Sequence, residues 1–474
     1  MRRSQALSSI LTIAGAVVLG LALTTLILLA VGAPPGEAFA NILSGAFGAL
    51  VGPDGALNLL NPRTAATLTF WVPLLLCATG LLLTFTGGLW NIGVEGQMTT
   101  GAIFASFVAI HIGAIALPTD LAVIVAVRQA RAMATVDSLA NKRIGVVDAA
   151  ALSDINLPAA KIAAFGALDE AIEALKGRDL DAVIGPRTEV EPFAGEDTGL
   201  ALSGVALTRH LPGPLLVALG LGAAMAGGAL WGLLCGALKT RGRVHEIFGG
   251  VALNNIAAIF AIYLIAGPWQ PPEGGSAQAT PPFAAHTLLP RLPDAPLSPL
   301  ALLLALGFFA LVFVALRGTF WGLQLKAMGK NARSAFLLGV PVEQRALLAF
   351  ALCGALAGLA GSTRALGFYN SLRPNIAGGI GFLALLVVLL SRVRAPLVPF
   401  ISFFFAAILS GSTELKIKMQ LDASLAGVLQ GFLVLATLLA LGVRGRLARR
   451  REIDADVGAG QATPAAPEIV EDRV

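Results

Sequence analysis

A carboxylate and three amides stand where an apolar chain least tolerates them. Asn91, Glu95 and Gln97 lie in the run GGLWNIGVEGQMTTG, residues 87–101, between apolar segments long enough to span a bilayer. Polar side chains at that depth are costly against lipid, so they must face protein, a water-filled route or a bound solute. Gly87, Gly88, Gly93 and Gly96 permit close helix contact or an interrupted helix, whose free N–H and C=O groups can meet a polar solute. Asn254 joins the set from a later span, beside Asn255, and two neighbouring amides do not share one helix face. Three kinds of chemistry fit these residue types: hydrogen bonding to a neutral solute in transit, bonding between helices, or proton relay through Glu95.

Other chemistry finds little support. Cys77, Cys235 and Cys353 each sit inside an apolar run, far apart and without metal spacing, so they read as small core residues. His111, His210, His245 and His286 show no i,i+4 spacing, and no metal site or cofactor is expected. No GxxxxGK[ST] run or other phosphate cradle occurs, so the chain is not expected to hydrolyse ATP. No paired acid, nucleophile and base points to an enzyme.

The elements that must position these residues are membrane spans. The 474 residues are 56% hydrophobic and 13% charged, with apolar residues in blocks, which indicates a polytopic helical membrane protein. An outer-membrane barrel would show short alternating segments instead. The net charge of +5 sits mostly beside apolar spans, so nucleic acid is not an expected partner. Spans are expected at about 10–31, 64–85, 89–113, 211–237, 247–266, 300–316, 346–366, 376–390, 395–411 and 425–443. Between Ala116 and Leu211 nine Lys or Arg face thirteen Asp or Glu, a local net charge of −4, and the pattern turns water-soluble. Strands are expected at Leu121–Val127, Arg143–Val147 and Asp181–Ile184, with a short helix at Leu168–Leu175. The fold class expected is therefore an all-α polytopic membrane protein of about ten transmembrane helices carrying an inserted small α/β extracytoplasmic domain. Its parts are 1–115, the insertion 116–211, a second membrane part 212–443 and a disordered tail 444–474.

Positive charge gathers at Arg2–Arg3, Lys239–Arg243, Arg317–Arg345, Arg392–Arg394 and Arg444–Arg451, with Arg373, Lys416 and Lys418 as exceptions. The positive-inside rule places these segments and both termini in the cytoplasm and the insertion outside, in a multi-pass protein of the inner (plasma) membrane surrounded by its lipids. Glycines four apart, at 228, 232 and 236, at 354 and 358, and at 427 and 431, suit close helix packing. Trp321–Val340 is too polar to span and reads as a short amphipathic helix between two spans.

Three stretches carry a resemblance: FTGGLWNIGVEGQ, LWGLLCGALKTRGRVHEIFGGVALNNIA and GTFWGLQLKAMGKNARSAFLLGV. Together they resemble the permease subunit of ABC importers for nucleosides or simple sugars, the ribose-permease-like branch served by basic-membrane-protein-type binding lipoproteins. The resemblance implies that Lys326, Gly329, Lys330, Asn331, Ala335 and Gly339 belong to a coupling segment, residues 321–340, that docks on an ATPase subunit. It also implies a substrate pathway shaped by Asn91, Glu95, Gln97 and Asn254, and no ATPase site on this chain. The implied partners are two ATPase subunits, an extracytoplasmic solute-binding lipoprotein, a second permease subunit of the same or homologous kind, and a nucleoside or simple sugar. The chain departs from the family pattern at Lys330, Arg333 and Ser334, where Glu and Glu-Ala are usual, and at Asn255, where Tyr is usual. Trp90, Phe85, Phe104 and Phe248 are the aromatics available for stacking on a solute.

The segment 116–211 is foreign to that pattern and resembles part of one lobe of a type-2 periplasmic solute-binding protein, with Asp148–Ala150 replacing the usual glycine turn. It is expected to dock the binding protein or brace the permease, with a ligand-binding site of its own as the alternative. Two other functions stand beside the importer: a proton-coupled secondary transporter using Glu95, and a membrane receptor or sensor reading a ligand with the external segment.

Overall fold

The computed structural model describes residues 22–26, 28–30, 32–49 and 61–419, except 131, 148–151, 153, 154, 156, 158, 272–277 and 294, together with 18, 431, 432 and 435. The first helix labelled here, α1, covers Pro35–Phe47, and the first long span, α2, covers Pro62–Thr86. Pro62 stands at the first helical position, where its missing N–H costs nothing, and the Asn61 side chain accepts from the Arg63 and Thr64 N–H groups at 3.0 Å each. Helix α3 (Val94–Phe107) runs on into a π turn over Val108–Ile112.

Beyond the 117–209 segment, which contains α4 (Leu168–Gly177), come α5 (Gly213–Thr240), α6 (Glu246–Ala266) and α7 (Pro299–Gly318). Two short helices follow, α8 (Phe320–Lys330) and α9 (Ala332–Leu337). The described chain closes with α10 (Val342–Arg364), α11 (Ile380–Leu390) and α12 (Val398–Met419).

The structure corrects the expected fold class. Among the described residues six helices are long and apolar enough to cross a membrane, or seven if the bent pair Ala22–Ala30 and Pro35–Phe47 is one span, and not about ten. Backbone breaks explain two of the differences. Residues 87–93 are not helical, so the span expected at 89–113 begins only at Val94. Gly378 and Gly379 adopt φ of +59° and +80°, so the span expected at 376–390 shrinks to the eleven residues of α11. Left-handed backbone cannot continue a right-handed helix, and glycine is the residue that adopts it without strain. The expected spans at 10–31 and 425–443 fall largely, and the tail from 444 wholly, outside the described residues, as do Asp148–Ala150.

No separate extracytoplasmic α/β domain is resolved either. Residues 117–209 hold a mixed five-stranded sheet, in the order β4 (Lys161–Ala164), β3 (Arg143–Val146), β5 (Ala182–Pro186), β2 (Leu121–Ala126) and β6 (Leu200–Leu202). Its two faces bury Val123, Val125, Ile144 and Ile184 on one side and Ile124 and Val183, against α4, on the other. The unit stays tied to the helical part. Its two connections pair at β1 (Leu117–Pro118) and β7 (Thr208–Arg209), the His210 ring stacks 4.3 Å from that of His286, and His286 Nε2 lies 3.0 Å from the Gly113 carbonyl.

Glycine contacts pull the membrane helices together. A methyl group at Gly228 of α5 would stand 2.1 Å from the Gly354 carbonyl oxygen of α10, and one at Gly101 of α3 would stand 2.1 Å from the Gly358 Cα. Lipid supplies no hydrophobic drive between helices, so backbone approach of this kind supplies dispersion contact instead. The result is a multi-pass helical membrane protein in which α2 and α10 are mostly enclosed by other helices.

Candidate translocation site

The site grows from the interruption between α2 and α3. After Thr86 the chain turns through Gly87 and Gly88, the latter at φ +73°, and the Leu89 N–H returns to the Thr84 carbonyl at 2.9 Å. The five residues that follow leave the first N–H groups of α3 without intrahelical partners, the usual state of a helix start. Asn254 of α6 supplies one partner: its Oδ1 accepts from the Gly96 N–H at 2.7 Å, and its Nδ2 donates to the Ile92 carbonyl at 2.9 Å. One side chain therefore bonds both the end of the break and the first turn of α3. Gly250, one turn earlier on α6, lets this happen, since a methyl there would stand 2.8 Å from the Gly93 nitrogen.

Asn91 and Gln97 bond each other. Asn91 Nδ2 donates to Gln97 Oε1 and Gln97 Nε2 donates back to Asn91 Oδ1, both at 3.0 Å, with Asn91 also 3.1 Å from the Cys353 Sγ. Both amides are buried, and the reciprocal pair satisfies groups that would otherwise be stranded in a low-dielectric interior. The three cysteines, remote in sequence, surround this region. Cys353 touches Asn91, Cys235 lies against the Gly93 backbone and Cys77 meets the Met98 sulfur at 3.9 Å. Among the described residues no group of three or more His, Cys, Asp or Glu is placed to hold a metal ion.

Glu95 bridges two interrupted helices. Its Oε1 accepts from the Gly379 N–H at 2.6 Å and its Oε2 from the Gly381 N–H at 2.7 Å. The carboxylate thus lies in the first turn of α3 and against the start of α11, where the exposed N–H groups and the dipoles of both helices favour negative charge. Gly381 has no side chain because a methyl there would stand 2.5 Å from Oε2.

Arg364, which no motif or spacing in the sequence singles out as a site residue, holds the other side of the same turn. Its Nε donates to the Ile376 carbonyl at 2.9 Å and an Nη donates to the Tyr369 hydroxyl at 2.8 Å. The guanidinium also lies 4.9 Å from the Tyr369 ring centre and just under 6 Å from those of Phe70 and Phe368, a cation–π cage that compensates its burial. An arginine inside the apolar run of residues 346–366 is the signal that could have found it. Of the aromatics named from sequence, Phe85 and Trp90 pack edge to face at 5.1 Å, while Phe248 is 74% exposed.

The polar segment after α7 lies against this break. It forms two helices instead of one, divided at Asn331, whose Oδ1 accepts from the Ser334 N–H at 3.0 Å and caps α9. Gly329 packs on the Gly88 turn, and the Met328 side chain packs on Gly87. Lys326, Lys330, Asn331, Arg333 and Gly339 are exposed, whereas Ala335 is buried. Phe336, Leu337 and Leu338 are 68%, 78% and 82% exposed, beside a groove of about 510 Å³ lined by Thr240, Ala332, Phe336 and Pro341–Gln344.

Comparison with known proteins gives one family and several relatives. The family model described as branched-chain amino acid transport system / permease component matches residues 197–438, just over half of the chain. A glucose ABC transporter permease protein of Haloferax volcanii is 29% identical over 245 residues, covering 50% of this chain and 64% of that protein. A guanosine ABC transporter permease protein of Bacillus subtilis is 26% identical over 253 residues, covering 52% and 69%. A nucleoside ABC transporter permease protein of Lactococcus lactis is 24% identical over 220 residues, covering 45% and 59%. The chain thus matches a little under two thirds of the length of the first of these relatives. No solved structure matches it.

Proposed function

Because the chain belongs to the family described as branched-chain amino acid transport system / permease component, we propose that it is the permease subunit of an ATP-driven ABC importer carrying a nucleoside or simple sugar. It is a transport permease component and not an ATPase. The names of the relatives support the solute class: glucose, guanosine and nucleoside permeases. In this reading two ATPase subunits drive the cycle, a solute-binding lipoprotein delivers the solute and a second permease subunit completes the route. The basic connections face the cytoplasm of a cell whose inner membrane holds the chain.

The observation that carries the proposal is the surface of α8 and α9. Phe336, Leu337 and Leu338 project from a polar, basic segment that the fold does not need to expose. An apolar patch of this kind outside the spans marks a protein partner. The same segment rests on the Gly87–Gly88 turn through Met328 and Gly329, so a partner that moves it also moves the break that Asn254 and Glu95 hold. Lys326, Gly329, Lys330, Asn331, Ala335 and Gly339 are the coupling residues in this account, and Asn91, Glu95, Gln97 and Asn254 shape the passage from behind its wall.

The test is ATPase stimulation in proteoliposomes that hold this chain with its ATPase and binding protein, across a panel of nucleosides and sugars. Hydrolysis raised by one solute only when the binding protein is present supports the importer. No ATPase association, with uptake following a proton gradient, overturns it and returns Glu95 to the role of relay.

A further inference from the structure

Asn254 and Asn255 are neighbours on α6 with opposite fates. Asn254 is turned inward onto Ile92 and Gly96, whereas the Asn255 side chain is exposed and bonds no other described residue. Asn255 is the tenth of the 21 residues of α6, so it stands near the middle of the span. Among the described residues of the six long apolar helices, it is the one Asn, Gln or charged side chain exposed away from a helix end. An amide there has no hydrogen-bonding partner in hydrocarbon, and facing it unpaired to lipid is costly.

The residues that share its stripe at i±4 and i±7 are Phe248, Val251, Ile259 and Ile262, all exposed, while Gly250, Leu253, Ala257 and Ala261 form the opposite face packed on the protein. One amide in an otherwise apolar wall offers one local donor and acceptor group and an apolar surface for a ring face. That suits a neutral solute with both hydroxyl groups and a flat apolar side, held weakly enough to leave.

We propose that this outer face of α6 is a wall of the solute route, and that Asn255 is the hydrogen-bonding contact for a neutral polyhydroxylated ring solute. The inference rests on the permease reading for the identity of the solute, but not for the wetness of the face. Binding at Asn255 would also act on the end of the break, since the adjacent Asn254 bonds Ile92 and Gly96 there.

The experiment has two arms on the full chain. In membrane vesicles, Asn255→Cys and Ile259→Cys are exposed to a small membrane-impermeant thiosulfonate, with Leu311→Cys, 62% exposed on α7, as the lipid-facing control and the unaltered chain as background. Labelling at 255 and 259 about tenfold faster than at 311 is expected, because the reagent reacts in water and not in hydrocarbon. Labelling at the control rate overturns the proposal, and a disulfide between two Asn255→Cys copies in place of labelling overturns it in favour of a contact between copies.

In cells with the complete transporter, uptake of labelled guanosine and glucose is compared. Asn255→Leu is expected to lose about three- to tenfold, with Asn255→Gln close to the unaltered chain, the effect of one hydrogen bond. Equal uptake by Asn255→Leu removes the solute contact. If the unaltered chain moves neither probe, the solute reading fails while the labelling contrast still decides the wall.

Discussion

Gly329 of α8 lies on Gly88 with no room for a side chain on either. A methyl at Gly329 would stand 2.1 Å from the Thr86 carbonyl oxygen and 3.1 Å from the Gly88 nitrogen, and one at Gly88 would stand 3.1 Å from the Gly329 Cα. Gly329→Ala is therefore expected to part the two segments at a cost of about 1–3 kcal/mol. Solute-stimulated ATPase activity should fall while unstimulated hydrolysis by the partner persists. Full stimulation by the variant would show that this contact transmits nothing.

Glu95 serves two N–H groups, 284 and 286 residues away in the chain. Glu95→Ala strands both, and the buried Gly381 N–H left without an acceptor costs about 1–3 kcal/mol, the half-buried Gly379 N–H less. Purified Glu95→Ala should unfold several degrees lower than the unaltered chain, with Glu95→Gln between them because its amide keeps one acceptor oxygen. An unchanged melting temperature for Glu95→Ala would mean that the carboxylate does not hold the start of α11.

The neighbouring amides of α6 separate by stability. Asn254→Ala removes the bonds to Ile92 and Gly96 and should cost about 1–3 kcal/mol, whereas Asn255→Ala should change stability by less than about 0.5 kcal/mol. Thermal unfolding of the two variants in one detergent checks the contrast. Equal losses would place Asn255 against protein.

Asn91 and Gln97 should behave as one unit. Either single change to Leu strands the other amide, so the two losses are not additive, and the double change to Leu should recover about 0.5–3 kcal/mol relative to their sum. A double-mutant cycle on unfolding in detergent measures this coupling, and additivity would mean that the reciprocal pair contributes nothing.

The exposed triplet gives a variant that should leave the fold alone. Leu337 is 78% exposed, so Leu337→Ser should leave the melting temperature within about 1 °C and reduce co-purification of the ATPase subunit. Retained association and stimulation would move the docking surface elsewhere.

The fold is most legible in the sequence where one span or one strand can be read by itself. The strands around Leu121–Ala126 and Arg143–Val146 follow from short apolar, β-branched runs, and the helix Leu168–Gly177 from its period. The cores of the long spans follow from uninterrupted apolar runs. The number of spans is less legible, because hydropathy does not register the left-handed turn at Gly378–Gly379 or the non-helical 87–93 stretch, each of which shortens a helix within an apolar run. The division of 321–340 at Asn331 is hidden for a similar reason: a capping amide and a solvent-facing amide look alike in one dimension.

By itself the sequence determined that the chain crosses a membrane, that polar groups concentrate at 91–97 and 254–255, and that glycine permits a break beside them. Those are consequences of residue type and local order. Only the tertiary structure decided who bonds whom: Asn91 with Gln97, Asn254 with the break, Glu95 with the start of α11, and Arg364 with Tyr369 and Ile376. The reason is geometric. A step of one residue along a helix turns a side chain by about 100°, so Asn254 and Asn255 part company only once the packing of α6 on α3 fixes which side is inside.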